Sequence, residues 1–258
     1  MTGYRPEWTS RRSRVQFAEL LKVQGKLALR EPLALFGGLA LPAILLAVFG
    51  FIGQANPGTV GSTGLTIIEV WTPTILVLSF IFISVSLPST LVRDREIGWL
   101  RRVSTTPLHP SRLLAAQLVI DLIVAAAAVL IVILEGALVF GASLHVLILP
   151  FAFSLVLAIV ELFAFGLVLV ALVPTQAVAQ PVGGVFTFGL MFLSGLWVNP
   201  AQVGDPLRTI MYYSPSGAAV KAVLDSAFSG GPSYAALLTM AIYAVIFGFI
   251  ATRYFRWE

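Results

Sequence analysis

The sequence has 258 residues, of which 58% are hydrophobic and 11% are charged, and its mean hydropathy is +0.95. Soluble domains are about half apolar, so this composition predicts an all-α integral membrane protein. The chain has no cysteine, which excludes disulfides, thiolate metal sites and a cysteine nucleophile, and its two histidines are poor material for a metal centre. The net charge of +4 is concentrated at the ends of apolar runs, so we expect no nucleic acid as a partner.

Residues 1–32 form a polar N-terminal segment with seven Lys and Arg residues. Ser13 is a suitable cap for a helix in this segment, and Lys22, Lys26 and Arg30 repeat along it at four-residue intervals. We expect an amphipathic helix that lies on the inner membrane surface with its basic groups toward lipid phosphates. The alternative is a solvated segment that leads into the first span.

Six apolar stretches follow, and each is long enough, at about 1.5 Å per residue, to cross a hydrocarbon core of about 30 Å. The predicted membrane spans are residues 33–53, 70–92, 113–140, 144–173, 177–198 and 234–252. The fourth and fifth spans are divided at residues 173–176, because the 43 residues from 162 to 204 carry no formal charge and would extend about 65 Å as one helix. The sequence therefore predicts a single transmembrane domain over residues 1–258.

Lysine and arginine are unevenly distributed among the polar segments. Fourteen of the sixteen lie in the N-terminal segment, between residues 93 and 112, or at the C-terminus, and only Arg208 and Lys221 lie elsewhere. Cytoplasmic loops are enriched in these residues, so the bias predicts six spans with both termini in the cytoplasm.

Three carboxyl groups lie inside the predicted spans, where a charge is costly and is expected to face protein. Asp121 and Glu135 are in the third span, and Glu161 is near the middle of the fourth. Asp121 is either a hydrogen-bonding contact between helices or a polar latch near the cytoplasmic side. Glu161 has no Lys or Arg within the apolar runs to neutralise it, so it either carries a proton or cation or is a structural hydrogen-bonding group.

Spans 2 and 5 supply the candidate residues for a hydrophobic translocation path. One face of span 2 carries Thr74, Leu78 and Phe82, and span 5 carries large, adaptable side chains, namely Phe186, Phe188, Met191 and Phe192. Ordinary packing between helices is the alternative interpretation of both sets.

The segment between spans 2 and 3, which we call the charged loop (residues 93–108), is a polar sequence between two long apolar runs. A helix that begins at about Asp94 has Trp99, Leu100 and Val103 on one face, and Arg95, Gly98 and Arg102 on the other. Thr106-Pro107 ends it, because proline disfavours helix in the preceding residue. Such a helix lies on lipid or docks in a groove of a partner, and a solvated loop is the alternative.

The charged loop resembles the cytoplasmic loop of ABC-2 type transporter permeases. The resemblance rests on Asp94-Arg95-Glu96-Ile97-Gly98-Trp99-Leu100, on Thr106-Pro107, and on the helix that begins Leu113-Leu114-Ala115-Ala116-Gln117. It extends over essentially the whole chain through the order of the six spans. Trp99 is a departure, because members of that family often carry a small residue there.

This resemblance implies a coupling helix that contacts a separate ATP-binding cassette subunit. The residues that it places in this contact are Arg93, Asp94, Arg95, Glu96, Gly98, Trp99, Leu100, Arg102, Val103, Thr106 and Pro107. It also implies short re-entrant helices that dip back from the outer face between spans 5 and 6. Within that link, Pro215 and Gly230 bracket a helix over residues 216–228.

The resemblance further implies a half-transporter in the bacterial plasma membrane, in which two permeases, identical or different, pair above two ATP-binding subunits. Drug or antibiotic export of the daunorubicin type is the expected function, and export of lipid or lipid-linked glycan, or a non-transporting scaffold or channel subunit, are the alternatives. We expect no enzyme activity and no cofactor in this chain. Gly25-Lys26 lacks the earlier glycine of a Walker A loop, since position 20 is leucine, so ATP and Mg²⁺ would belong to the partner.

Overall fold

The computed structural model describes residues 7–60, 64–96, 110–142, 148–228 and 231–254. Within these ranges every regular element is helical, and six helices are long and apolar enough to cross a membrane, which confirms the predicted fold class. A surface helix, Glu7–Ala28, precedes six spans: span 1 (Pro32–Leu35, a π-helical turn Phe36–Ala40, and Leu41–Ala55), span 2 (Ile67–Glu96), span 3 (Pro110–Phe140), span 4 (Ile148–Leu172), span 5 (Gln176–Leu193) and span 6 (Tyr234–Tyr254). A first short helix, Asp205–Tyr212, and a second short helix, Pro215–Phe228, connect spans 5 and 6.

Span 2 is the central helix of the bundle. It is about 45 Å long at 30 residues, and it contacts spans 1, 3, 4 and 5 and the second short helix. Two of its buried hydroxyl groups bond within the helix: Ser79 donates to the carbonyl of Ile75, and Ser84 donates to that of Ile81. Because these serines bond locally, the core around span 2 remains apolar.

The inner end of span 2 differs from the sequence-based expectation. Its helix continues through Glu96, whereas we predicted an end at residue 92 and a new helix from about Asp94. The first residues of the charged loop, 93–96, therefore belong to the central helix. Arg93 and Arg95 lie in its last turn, where positive charge favours the helix C-terminus.

Span 1 approaches span 2 closely at a pair of glycines. The backbone N–H of Leu41 bonds to the carbonyl of Phe36, which widens the helix by one residue just before Pro42. A Cβ atom at Gly37 would lie 2.9 Å from the ring of Phe82. Small residues at this position therefore allow the two helices to pack closely.

Span 5 is shorter than predicted because Gly195 ends it. The backbone N–H of Gly195 donates to the carbonyl oxygen of Phe192, and the backbone N–H of Leu196 donates to that of Met191. Gly195 has a φ of +88°. These two bonds and the left-handed glycine form a Schellman motif, which satisfies the last carbonyls of the helix. The predicted range 177–198 is thus corrected to Gln176–Leu193, and the apolar residues after Gly195 belong to the link.

The second short helix folds back among the spans. It contacts spans 2, 4, 5 and 6, and Ser216 donates a hydrogen bond of 2.7 Å to the carbonyl of Leu190 in span 5. Ser214 caps the helix by accepting from the N–H of Gly217, and Pro215 occupies the first helical position. The helix expected between Pro215 and Gly230 is therefore present as Pro215–Phe228.

Candidate coupling contacts and translocation cleft

Two charged side chains at the end of span 2 hold the turn between spans 4 and 5. Nη2 of Arg95 donates to the carbonyl oxygens of Val173 at 2.6 Å and Pro174 at 2.9 Å. The backbone N–H of Gln176 donates to Oε1 of Glu96 at 3.0 Å. Arg95 thus satisfies carbonyls at the end of span 4, and Glu96 satisfies an N–H group in the first turn of span 5. We call this set of contacts the turn clasp.

The turn clasp places the turn between spans 4 and 5 at the same end of the bundle as the charged loop. This turn contains no Lys or Arg, so the sequence assigned its side only by counting spans. The direct contact with Arg95 and Glu96 provides an independent reason for the same assignment.

Beside the turn clasp, polar side chains from the surface helix and spans 2 and 3 meet. Glu31 and Arg93 form an ion pair, with 2.9 Å between Oε1 and Nη2. Gln117 donates to both carboxylate oxygens of Asp121 at 3.1 and 3.2 Å. These four residues and the buried Gln24 line a cavity of about 40 Å³, which we call the polar junction. Asp121 therefore faces protein, beside the ion pair, as expected for an intramembrane carboxyl group.

A larger cavity, which we call the cleft, lies between spans 1, 2 and 5. Its volume of about 570 Å³ is within the range of about 300–1,000 Å³ that is typical of small-molecule sites. Its polar lining residues are Arg30, Glu31, Ser86, Ser89, Arg93, Gln176, Gln180 and Thr187, and its apolar ones include Phe36, Leu41, Phe82, Val85 and Ala179. Arg93 belongs to the charged loop and Gln176 is bonded to Glu96 of that loop, whereas Leu41 and Thr187 lie two to three helical turns deeper. The cleft is therefore amphipathic, with its polar end toward the loop.

The three candidate path residues of span 2 have different environments. Phe82 lines the cleft, while Thr74 lines a separate cavity of about 120 Å³ beside Trp71 and Tyr212. Leu78 is fully buried within the single chain. Because span 2 is apolar around its whole circumference and packs on all sides, a shared helical face does not give these residues a shared cavity.

The four candidates of span 5 lie on or near the surface of the chain. Phe186 and Phe188 are exposed, with fractional exposures of 43% and 61%, and Met191 and Phe192 are half-buried. Phe186 packs edge-on against Phe165 of span 4, with 5.4 Å between ring centroids. Within the single chain, the described structure thus brings Phe82 to the cleft but leaves these four side chains outside it. Their role in a substrate path stays a prediction.

Glu161 is the most isolated polar group of the described residues. Its side chain is fully buried, and neither carboxyl oxygen has a hydrogen-bond partner within the described part of the chain. Ser154, two turns earlier, bonds to Ser226 of the second short helix at 2.8 Å, and Phe165, one turn later, contacts rings of spans 5 and 6. Glu161 is therefore on the packed face of span 4, whereas Glu135 of span 3 is half-buried.

Glu161→Met is expected to stabilise the protein by about 1–3 kcal/mol, because a buried polar group without a partner carries its full desolvation cost. Thermal melting in detergent measures this change. We also expect slower transport, since such a costly group in a membrane helix is a functional candidate. Leu162→Met is the control, because Leu162 is next to Glu161 and equally buried, and replacing leucine by methionine conserves the side-chain volume. A lower melting temperature for Glu161→Met would mean that the carboxyl group has a stabilising partner in the assembled protein.

Part of the predicted coupling helix lies outside the described residues. This applies to Gly98, Trp99, Leu100, Arg102, Val103, Thr106 and Pro107, and to the side chain of Asp94. The described members divide between two contacts, since Arg93 belongs to the polar junction and Arg95 and Glu96 form the turn clasp. The two-faced helix that would contact a partner stays a prediction.

Several residues of these sites were missed by sequence reasoning. Glu31 was included only in the polar N-terminal segment, although it precedes span 1 and has the opposite charge to Arg93 at the end of span 2. Gln176 was assigned to the turn and Gln180 to the apolar fifth span, although their i, i+4 spacing predicts one polar face. A search for polar residues at matching membrane depths would have found both signals.

The six apolar helices, with a charged loop after the second, define a multi-pass membrane protein. The sequence profile described as ABC-2 type transporter matches residues 15–228, which is most of the chain. The chain therefore belongs to the ABC-2 type transporter family, whose members are the permease components of ABC transporters. No curated protein sequence matches it.

Proposed function

We propose that this chain is the permease subunit of an ATP-binding cassette exporter that moves hydrophobic or amphipathic compounds, such as drugs or antibiotics, out across the bacterial plasma membrane. The cleft is the observation that carries the proposal. It has the volume of a small-molecule site, apolar walls from spans 1, 2 and 5, and polar groups near the charged loop. An amphipathic compound from the inner leaflet would match both parts of this surface.

In this proposal two permease subunits, identical or different, pair in the membrane, and two ATP-binding subunits bind ATP and Mg²⁺ and dock at the charged loops. Both termini are cytoplasmic. Exposed apolar side chains on spans 3, 5 and 6, such as Leu138, Phe188 and Phe249, provide surfaces for lipid or for the second permease. The turn clasp and the polar junction would link the charged loop to the spans.

Gly184→Phe is expected to lower ATP-driven daunorubicin transport by at least about tenfold. Gly184 lines the cleft, and a Cβ atom there meets nothing within 4 Å, so the ring would fill the cleft without displacing the helices. The measurement is uptake of fluorescent daunorubicin into inside-out proteoliposomes that contain the permease and its ATP-binding subunit.

Gly189→Phe is the matched control for this experiment. Gly189 is in the same helix and has the same free space, but it is not among the residues that line the cleft. Equal transport by the two variants would contradict the assignment of the cleft as the substrate site. Absence of ATP-driven transport in the wild-type complex would contradict drug export itself.

Export of a lipid or lipid-linked glycan is the second candidate, and the charge of the cleft favours it. Two arginines, Arg30 and Arg93, line the polar end of the cleft with a single carboxylate, Glu31. An excess positive charge there suits an anionic headgroup such as a phosphate. Transport of a fluorescent anionic phospholipid without transport of daunorubicin would favour this candidate, and transport of neither would favour a scaffold or channel subunit.

A further inference from the structure

We propose that Arg95 and Glu96 are positioning residues, which transmit movement of the charged loop to spans 4 and 5 rather than bind the ATP-binding subunit themselves. This inference rests on the proposed function, because it needs a partner that moves the loop. The observation that carries it is the turn clasp, in which consecutive residues of one helix end hold the ends of two other helices.

The charges of the turn clasp complement both helix ends. Arg95 is at the C-terminal end of span 4, where the helix dipole and the free carbonyls favour a cation. Glu96 is at the N-terminal end of span 5, where the free N–H groups favour an anion. Reversing the order of these two residues would put each charge at the wrong helix end, so the pair fits this turn specifically.

The turn clasp also provides a continuous physical connection from the charged loop to the cleft. Glu96 is the last described residue of the span 2 helix, and the remaining residues of the charged loop, 97–108, follow it in the sequence. Gln176, whose N–H group bonds to Glu96, begins span 5 and lines the cleft. A displacement of the loop that moves the end of span 2 therefore acts on a wall of the cleft through the hydrogen bond between Glu96 and Gln176.

Partner binding and positioning of spans 4 and 5 are two different roles for the charges of Arg95 and Glu96, and substitutions distinguish them. A partner-binding Glu96 needs its negative charge to pair with a cation of the partner, whereas the hydrogen bond of the turn clasp needs an acceptor for the N–H group of Gln176, and the negative charge adds only a smaller stabilisation from the helix dipole. Glu96→Gln keeps the acceptor and removes the charge, while Glu96→Ala removes both. Arg95→Ala removes the donor to the two carbonyls.

The experiment uses a spin label at residue 175 in the complete complex of permease and ATP-binding subunit. Thr175 is exposed, its side chain makes no capping bond, and the chain has no cysteine, so Thr175→Cys gives a single labelling position. We expect a non-hydrolysable ATP analogue to change the label's spectrum in the otherwise wild-type chain and in Glu96→Gln. In Arg95→Ala and Glu96→Ala we expect a more mobile label and at least a fivefold smaller response to the analogue.

Binding of the ATP-binding subunit is measured in parallel, and we expect it to change by less than about twofold in all three variants. Lys22→Ala is the control, because Lys22 is exposed and its ion pair among the described residues is with the nearby Glu19. A wild-type response in Arg95→Ala and Glu96→Ala would overturn the inference, and so would a loss of partner binding in Glu96→Gln. The label needs no transported compound, so a failure of daunorubicin transport would contradict the proposed export without altering this result.

Discussion

Gly217→Ala is expected to lower the melting temperature of the detergent-solubilised protein by about 6–12 °C. The second short helix passes so close to its neighbours at Gly217 that a Cβ atom would lie 2.9 Å from the carbonyl oxygen of Leu193 and still closer to that of Met211. Both obstacles are backbone atoms, so a change of side-chain rotamer cannot relieve the overlap. Overpacking of this kind costs about 3 kcal/mol, which corresponds to about 2–4 °C per kcal/mol in a chain of this size.

Gly189→Ala is the matched control for this substitution. Gly189 is also helical, but a Cβ atom there has no neighbour within 4 Å. Its replacement by alanine is expected to be neutral or stabilising by up to about 1 kcal/mol, because alanine is the better helix former. A Gly217→Ala protein that melts at the wild-type temperature would show that the first short helix and the end of span 5 can move apart at no cost.

The spans were predictable from the sequence because each needs only a long apolar run. The division between spans 4 and 5 followed from length alone, since 43 uncharged residues cannot form one span. The second short helix was predictable because Pro215 and Gly230 are local signals for helix ends. These features depend on neighbouring residues in the sequence, which is why pattern reasoning recovers them.

The end of span 5 was not predictable by hydropathy. Leu196, Trp197 and Val198 continue the apolar run after Gly195, so composition gives no reason to stop the helix. The helix ends because Gly195 adopts a left-handed conformation and closes a Schellman motif. Glycine occurs at several positions of this span, so a glycine in the sequence does not by itself mark the helix end. The end of span 5 is decided by the left-handed backbone conformation of Gly195, which the sequence does not specify.

The candidate site was predictable in its residue types but not in its contacts. Arg95 and Glu96 were identified as members of a charged loop that would contact a partner, whereas their described contacts are with a turn almost 80 residues later in the chain. Leu78 was assigned to a path through a shared helical face, but span 2 is surrounded by other helices and that side chain is fully buried. Helical periodicity predicts which residues share a face of one helix, but it does not predict contacts between segments that are far apart in the sequence.

Trp99→Ala is expected to weaken binding of the ATP-binding subunit by about thirtyfold or more. The sequence gives the charged loop an apolar face of Trp99, Leu100 and Val103, and a helix of this kind inserts such a face into a groove of its partner. Truncating a central aromatic anchor typically costs about 2 kcal/mol or more, and 1.4 kcal/mol corresponds to about tenfold in affinity. The turn clasp already engages Arg95 and Glu96, so the apolar face is left as the main source of docking energy.

The affinity is measured by titrating the purified ATP-binding subunit onto the permease in nanodiscs. Trp99→Phe is the matched control, because it keeps an aromatic ring in the groove and should retain most of the affinity. Arg102→Ala should also cost less, because a charge on the opposite face lies at the rim of the contact. Insertion and pairing of the permease should be unchanged, since position 99 is outside the six spans predicted from the sequence. Wild-type affinity in Trp99→Ala would show that the charged loop is a solvated connector and that the ATP-binding subunit docks elsewhere.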